Sequence, residues 1–376
     1  MTMYNLTFYI IFILIFSFCM WQAWVGMKIS KKTNVYIVVT MSFLAIAYLM
    51  YIWLVVTRKI DYVHNNLGYH FVGGVDAYYT KQIFDNSAGR FDLLLLTHGE
   101  IGFKILMFIC HKVSSQYTFF LFVFHTIAFL ILVAYFIENV ECKYKKYILV
   151  ILICGILFTM LNTMRNDLVA LFFLLAFSKL RANKNKQAIL LMIIASLFHK
   201  VSIFGLISII LILLVKRIRG ATRDKVYILL ITLLVGTVGA IFFVIPYIFN
   251  ASEYSIYVTD TTFSVGIYAF VLFLFILSIV YEKKNRADNA MIIYYVVPLI
   301  ICLAMFLVQL RFSMAYRVVI LFMGYIYEYS FYLSEGILKK NTLNNLICKC
   351  VLCFFALYKI YDLFAVQLFA GQIILR

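Results

Sequence analysis

The chain has 376 residues, 65% hydrophobic and 13% charged, with only 2 Pro, and a mean hydropathy of +1.00, a balance that no water-soluble domain of this length can carry on its surface. The formal charge of +17 would suit a nucleic acid, but the Lys and Arg residues stand between apolar runs, and no basic face interleaved with stacking aromatics remains to bind one. The expected solvent is a bilayer, and the expected fold is an all-α polytopic transmembrane bundle in a single domain, 1–376.

Apolar runs of spanning or near-spanning length fall at about 4–27, 34–57, 117–138, 147–163, 166–180, 226–248, 263–281, 290–309, 313–333 and 344–367. The first lacks a basic leader and a small-residue cleavage site, so it is expected to be a retained span. Between runs stand basic clusters at Lys28, Lys31 and Lys32; Lys143, Lys145 and Lys146; Lys179, Arg181, Lys184 and Lys186; Lys216, Arg217, Arg219, Arg223 and Lys225; Lys283, Lys284 and Arg286; and Lys339 and Lys340. Placing them all in the cytoplasm follows the positive-inside rule.

The stretch 187–215 is then anomalous, because it is apolar yet has basic clusters at both ends. The consistent solution is a broken hairpin, two short helices at about 187–198 and 201–215 with His199 and Lys200 at the outer turn. Crossings then total about twelve. Both termini are expected outside, as is the one sizeable polar segment, an outward-facing loop over 58–116. Within it Ile101–Val113 is apolar but too short to span, and is expected to lie at the interface or re-enter the membrane.

Charges on membrane helices are costly unless they face a protein interior or a wet cavity. On this map Asp76, Asp85, Asp92, Glu100, Arg165, Asp167, His199, Lys200, Arg311 and Arg317 collect on the outer side. Arg165, between two spans, offers planar bidentate donors suited to a pyrophosphate or another anion; its bland alternative is snorkelling or an ion pair with Asp167. His199 suits a donor to a diphosphate or an acid, or else a histidine satisfied by a neighbouring carbonyl. Arg311 and Arg317, six apart, point roughly opposite ways on a continuous helix, and Arg317, deeper in its span, is the stronger anion ligand. Gly73-Gly74-Val75-Asp76-Ala77-Tyr78-Tyr79 joins backbone freedom to a carboxylate and rings, and Glu100 supplies a second carboxylate for acid/base work on a hydroxyl. The eight Cys are scattered, with no metal-ligand spacing; no metal and no cofactor are expected.

Gly74-Val75-Asp76 followed by Tyr79, Glu100-Ile101-Gly102-Phe103, Arg165 followed by Ala170, Ala195-Ser196-Leu197-Phe198-His199 with Ser202, and the Arg311/Arg317 stretch form an ordered set over about residues 70 to 330. This set resembles the EpsG-type group of the Wzy polysaccharide polymerases. Asn166 stands where such proteins often carry Gln, and Lys200 falls between His199 and Ser202. The resemblance implies a GT-C-like bundle that moves a growing glycan from undecaprenyl pyrophosphate onto the next lipid-linked repeat unit, outside the cytoplasmic membrane of a bacterium.

On that basis Asp76, Glu100 and His199 are the catalytic candidates, with Asp76 preferred as base. Arg165, Lys200, Arg311, Arg317 and Tyr79 bind pyrophosphate or sugar. The implied partners are undecaprenyl-pyrophosphate-linked oligosaccharides and the bilayer, with a flippase and a chain-length regulator alongside. Two rivals stay open, a flippase or exporter of the same lipid-linked sugars and a membrane acyltransferase with His199 as base.

Overall fold

A computed structural model describes residues 34–65, 68–72, 75–97, 99–138, 156–157, 159–161, 163–217, 265–284, 289–309, 315–337 and 374–375. The expected spans at 4–27, 226–248 and 344–367, and most of 147–163, lie outside the described residues, as do Gly73, Gly74 and Arg311. Elsewhere the chain is helical. In order come α1 (Asn34–Thr57), β1 (Arg58–Lys59), β2 (Asp61–Asn65), β3 (Gly68–Val72), α2 (Val75–Ser87), α3 (Phe91–Leu96), α4 (Ile101–Val113), α5 (Tyr117–Glu138), α6 (Met164–Arg181), α7 (Asn185–Ser196), α8 (Ser202–Arg217), α9 (Val265–Lys284), α10 (Asn289–Gln309), α11 (Ala315–Ile337) and β4 (Ile374–Leu375).

The strands are minor: β2 and β3 form a hairpin with Asn65 opposite Gly68, and β1 pairs antiparallel with β4. Among the described residues, α5 is long and apolar enough to cross a membrane by itself. Shorter apolar helical stretches lie at Tyr48–Thr57, Asn185–Ser196, Ser202–Val215, Tyr268–Ser278 and Tyr294–Gln309.

The polar segment 58–116 contains three helices, α2, α3 and α4. Asp76, expected in a loop, stands in the first turn of α2, and α4 covers the apolar stretch Ile101–Val113. Tyr117 anchors α2 by donating from its hydroxyl to the Ala77 carbonyl at 3.0 Å, and Lys104 of α4 closes the end of α3 through the Thr97 and Leu95 carbonyls at 2.6 and 3.3 Å.

Helix α6 is the axis of the molecule. Leu168 through Ser178 are all buried, as expected of a helix that is apolar all round, and α2, α5, α7, α8 and α11 pack against it. Asn183, at φ 59°, turns the chain from α6 into α7; asparagine tolerates that left-handed geometry because its short polar side chain bonds locally. Helix α7 ends at Ser196 and α8 starts at Ser202, so the break falls at His199 and Lys200. The turn closes on itself as His199 N–H donates to the Ala195 carbonyl and Ser202 N–H to the His199 carbonyl, both at 3.1 Å. Eighteen residues of α6 separate its two charged ends by about 27 Å at 1.5 Å per residue.

Candidate functional site

At one end of α6 five of the ten expected outer-side charges, Asp76, Glu100, Arg165, His199 and Lys200, converge from four segments far apart in sequence. Glu100, the residue before α4, is the hub. Its Oε1 lies 3.0 Å from His199 Nδ1 and accepts the Lys200 backbone N–H at 3.2 Å. Its Oε2 accepts from Arg165 Nη1 at 3.2 Å. Asp76 approaches the same guanidinium from α2, with Oδ1 4.0 Å from Nη2. Arg165 therefore turns to the carboxylates of the polar segment, while Asp167 accepts from the Thr163 hydroxyl at 2.6 Å.

Two glycines make the convergence possible. Gly102 N–H donates to the Leu197 carbonyl at 2.8 Å, and a Cβ on Gly102 would sit 2.7 Å from Leu197 Cβ and 2.8 Å from that carbonyl oxygen. Any larger residue would push α4 off the α7–α8 turn and pull Glu100 away from His199. Gly99 has φ +122°, a conformation closed to residues with a Cβ, and it lets the chain bend from α3 into α4 beside Arg165. Phe103 then places its ring 5.5 Å from Arg165 Cζ, a cation–π contact that helps to hold the guanidinium.

The site is neither sealed nor fully wet. The side chains of Glu100, Asp76 and Arg165 are 16%, 20% and 26% exposed; His199 is buried and Lys200 exposed. Burial alone would raise the Glu100 carboxyl. The His199 hydrogen bond and charge, the Arg165 charge and the Lys200 N–H outweigh it and bring the carboxyl down to about 2. Glu100 is thus committed as an anion that orients cations. Asp76, with one long contact to Arg165, keeps lone pairs to offer a proton donor.

The remaining candidates are spread wider. Tyr79 is exposed on α2, its ring edge-on to Tyr78 at 5.7 Å. Arg317 is half-buried in the first turn of α11 and makes no ion pair with a described carboxylate. Tyr325, Tyr327 and Tyr329 are buried in the core. Among the described residues no group of three or more His, Cys, Asp or Glu could hold a metal ion.

Sequence reasoning missed two charged groups. Arg58 is 2% exposed although it directly follows α1. Arg181 and Glu328 form a buried ion pair at the far end of α6; an acidic residue inside the apolar run of α11 was the available signal.

A family model described as the EpsG family matches residues 66–374. No curated protein and no solved structure matches the chain. The matched span holds Asp76, Glu100, Arg165, His199 and Lys200. The chain belongs to the EpsG family, which places it in the membrane and associates it with polysaccharide polymerisation.

Proposed function

We propose that this EpsG-family membrane protein joins undecaprenyl-pyrophosphate-linked oligosaccharide repeat units into a surface polysaccharide on the outer face of a bacterial cytoplasmic membrane, through about twelve crossings in a GT-C-like bundle. The observation that carries this reading is Arg165 held between Glu100 and Asp76, beside His199 and the exposed Lys200.

Transfer of a glycan from a lipid diphosphate to a hydroxyl makes two demands. The bond from the anomeric carbon to the diphosphate oxygen breaks, so negative charge grows on the leaving group. The acceptor oxygen bonds to that carbon and loses its proton. Preorganised cations that meet the growing charge contribute most to the rate. Arg165 supplies a planar fork, Lys200 a mobile ammonium, and His199 a ring fixed by Glu100. Asp76 takes the acceptor proton. Glu100, whose oxygens are already engaged, positions Arg165 and His199.

In this reading Arg317 and Arg311 extend the anion surface and Tyr79 offers a ring to the sugar. A flippase that delivers the lipid-linked units and a chain-length regulator are the proposed partners.

The test is complementation of a host that depends on the protein. Arg165→Ala or His199→Ala at normal membrane level should abolish long polymer, with a loss of about 10²–10³-fold for a missing charge-stabilising donor, and single lipid-linked units should accumulate outside. Full-length polymer from both variants would exclude the assignment. Accumulation on the cytoplasmic face would instead favour the flippase. Asp76→Asn should be more damaging than Glu100→Gln if Asp76 is the base.

A further inference from the structure

Among the described residues Arg58 is a cation without an anion. It is the first residue after α1 and is 2% exposed. Nη1 donates to the Leu161 carbonyl at 2.9 Å, while Nε and Nη2 are buried with no hydrogen-bond partner. Among the described residues the titratable groups that face it are Tyr51, Tyr117 and His125, with no carboxylate. The two hydroxyls are already committed, Tyr51 to the Leu157 carbonyl at 3.0 Å and to His125 Nδ1 at 2.6 Å, and Tyr117 to the Ala77 carbonyl at 3.0 Å. Burial lowers the guanidinium to about 10, which still leaves it charged at neutral pH.

A guanidinium carries five N–H donors in a rigid fork, and a buried charge left without partners is among the costliest arrangements in a protein. The position of Arg58 supplies the reason for tolerating it. Leu161, its acceptor, stands four residues before Arg165, and Ala77, held by Tyr117, directly follows Asp76. Arg58 therefore bonds the segment that leads to Arg165 directly and reaches the segment that carries Asp76 only through Tyr117, whose hydroxyl feels both charges. Asn166, next to Arg165, is also buried, and neither end of its side-chain amide has a partner. Unused donors thus stand at Asn166, next to Arg165 in the chain, and on Arg58, bonded to the turn that precedes it.

We infer that Arg58 is a second anion-binding cation of this site, taking phosphate oxygens of the lipid-linked diphosphate on its free Nε and Nη2 donors while Arg165 holds the diphosphate from the Asp76 side. The inference rests on the proposed transfer reaction for the identity of its ligand. It adds a residue that lies before the span matched by the family model.

The experiment uses the full chain in lipid nanodiscs with inorganic pyrophosphate as probe and sulfate as control, read as the thermal unfolding midpoint against probe concentration. Pyrophosphate should raise the midpoint of the wild-type protein more than sulfate does. Arg58→Gln should raise the half-saturating pyrophosphate concentration at least tenfold, and Arg58→Lys, which restores a point charge without the fork, should recover part of that loss. If Arg58→Gln does not fold, Arg58→Lys alone decides, with a several-fold weakening expected.

Wild-type half-saturation in either folded variant overturns the role of Arg58. If Arg165→Gln loses the pyrophosphate response while Arg58→Gln keeps it, the inference about Arg58 fails and the transfer site stands. A wild-type protein indifferent to pyrophosphate overturns the diphosphate site as a whole.

Discussion

The two ends of α6 carry the same kinds of side chain and use them differently. At the Arg181 end the pairs are short, and the Arg181–Glu328 pair is closed into the protein. Glu138 takes both Lys179 and Lys184 at 2.5 and 2.8 Å. Arg181 pairs with Glu328, which is 1% exposed, donates to the Tyr295 hydroxyl at 2.5 Å, and lies against the rings of Phe177 and Tyr295. Tyr295, Tyr325 and Tyr329 stack beside it. At the Arg165 end the pairs are longer, at 3.2 and 4.0 Å, and the Arg165 side chain is 26% exposed where that of Arg181 is 10%. A closed network fastens α6 to α11; an open one has valence left for a ligand. The presence of charge inside a membrane protein does not separate these cases; the length of the pairs and the exposure of the arginine do.

The sharpest way to break the comparison is to disturb the closed end. Glu328→Gln leaves the Arg181 cation buried without its counter-charge, and loss of one partner from such a pair costs about 3–5 kcal/mol. Membrane level and denaturant midpoint should fall, while the polymer made per folded molecule should hold. If a folded, abundant Glu328→Gln protein lost activity, the far end would belong to the chemistry and the contrast would collapse.

Gly102→Ala attacks the open end without touching a charge. The new methyl must displace Leu197, which moves Glu100 from His199, and a misplacement of about 1 Å can cost about 10²-fold in rate. Activity should drop by that order with little change in folded amount. A fully active Gly102→Ala would mean that the contact of Glu100 with His199 is not needed.

Much of this arrangement could be read from residues. The apolar runs 34–57 and 117–138 return as α1 and α5 with the same bounds, because length and hydropathy alone set a helix in a bilayer. The break at His199 followed from charge bookkeeping at the two ends of 187–215, and the chain does break there. The helices α2 and α3 were not legible, since a short helix anchored by Tyr117 and Lys104 takes its stability from tertiary contacts and not from its own pattern. Arg58 read as a boundary residue, because the sequence records that a cation follows α1 and not that the chain folds back over it. Pairing of Asp76 and Glu100 with Arg165 was expected only as a common face. Which oxygens are used, and so which carboxylate is left for proton transfer, required the geometry.

A smaller effect separates exposed from buried members of the closed network. Lys184 is 48% exposed where it meets Glu138, and exposed pairs contribute about 0–1 kcal/mol. Lys184→Ala should therefore shift the denaturant midpoint far less than Glu328→Gln. Comparable shifts would show that burial is not what distinguishes the two pairs.

The smallest expected effect is that of pH on the hub of the open end. A carboxyl lowered on folding stabilises the folded state above its unfolded value, near the ordinary 4.5, and loses that contribution as pH falls toward the folded value of about 2. The difference in unfolding midpoint between wild type and Glu100→Gln should therefore be flat from pH 8 to about 5, as far as Glu100 is concerned, and should shrink only in more acidic buffer. Activity that falls between pH 8 and 5 would then be traced to groups other than Glu100, and an Asp76→Asn protein should no longer follow the wild-type profile if Asp76 takes the proton. A stability difference that collapsed between pH 7 and 5 would place the Glu100 carboxyl well above its expected value and return it to contention as the base.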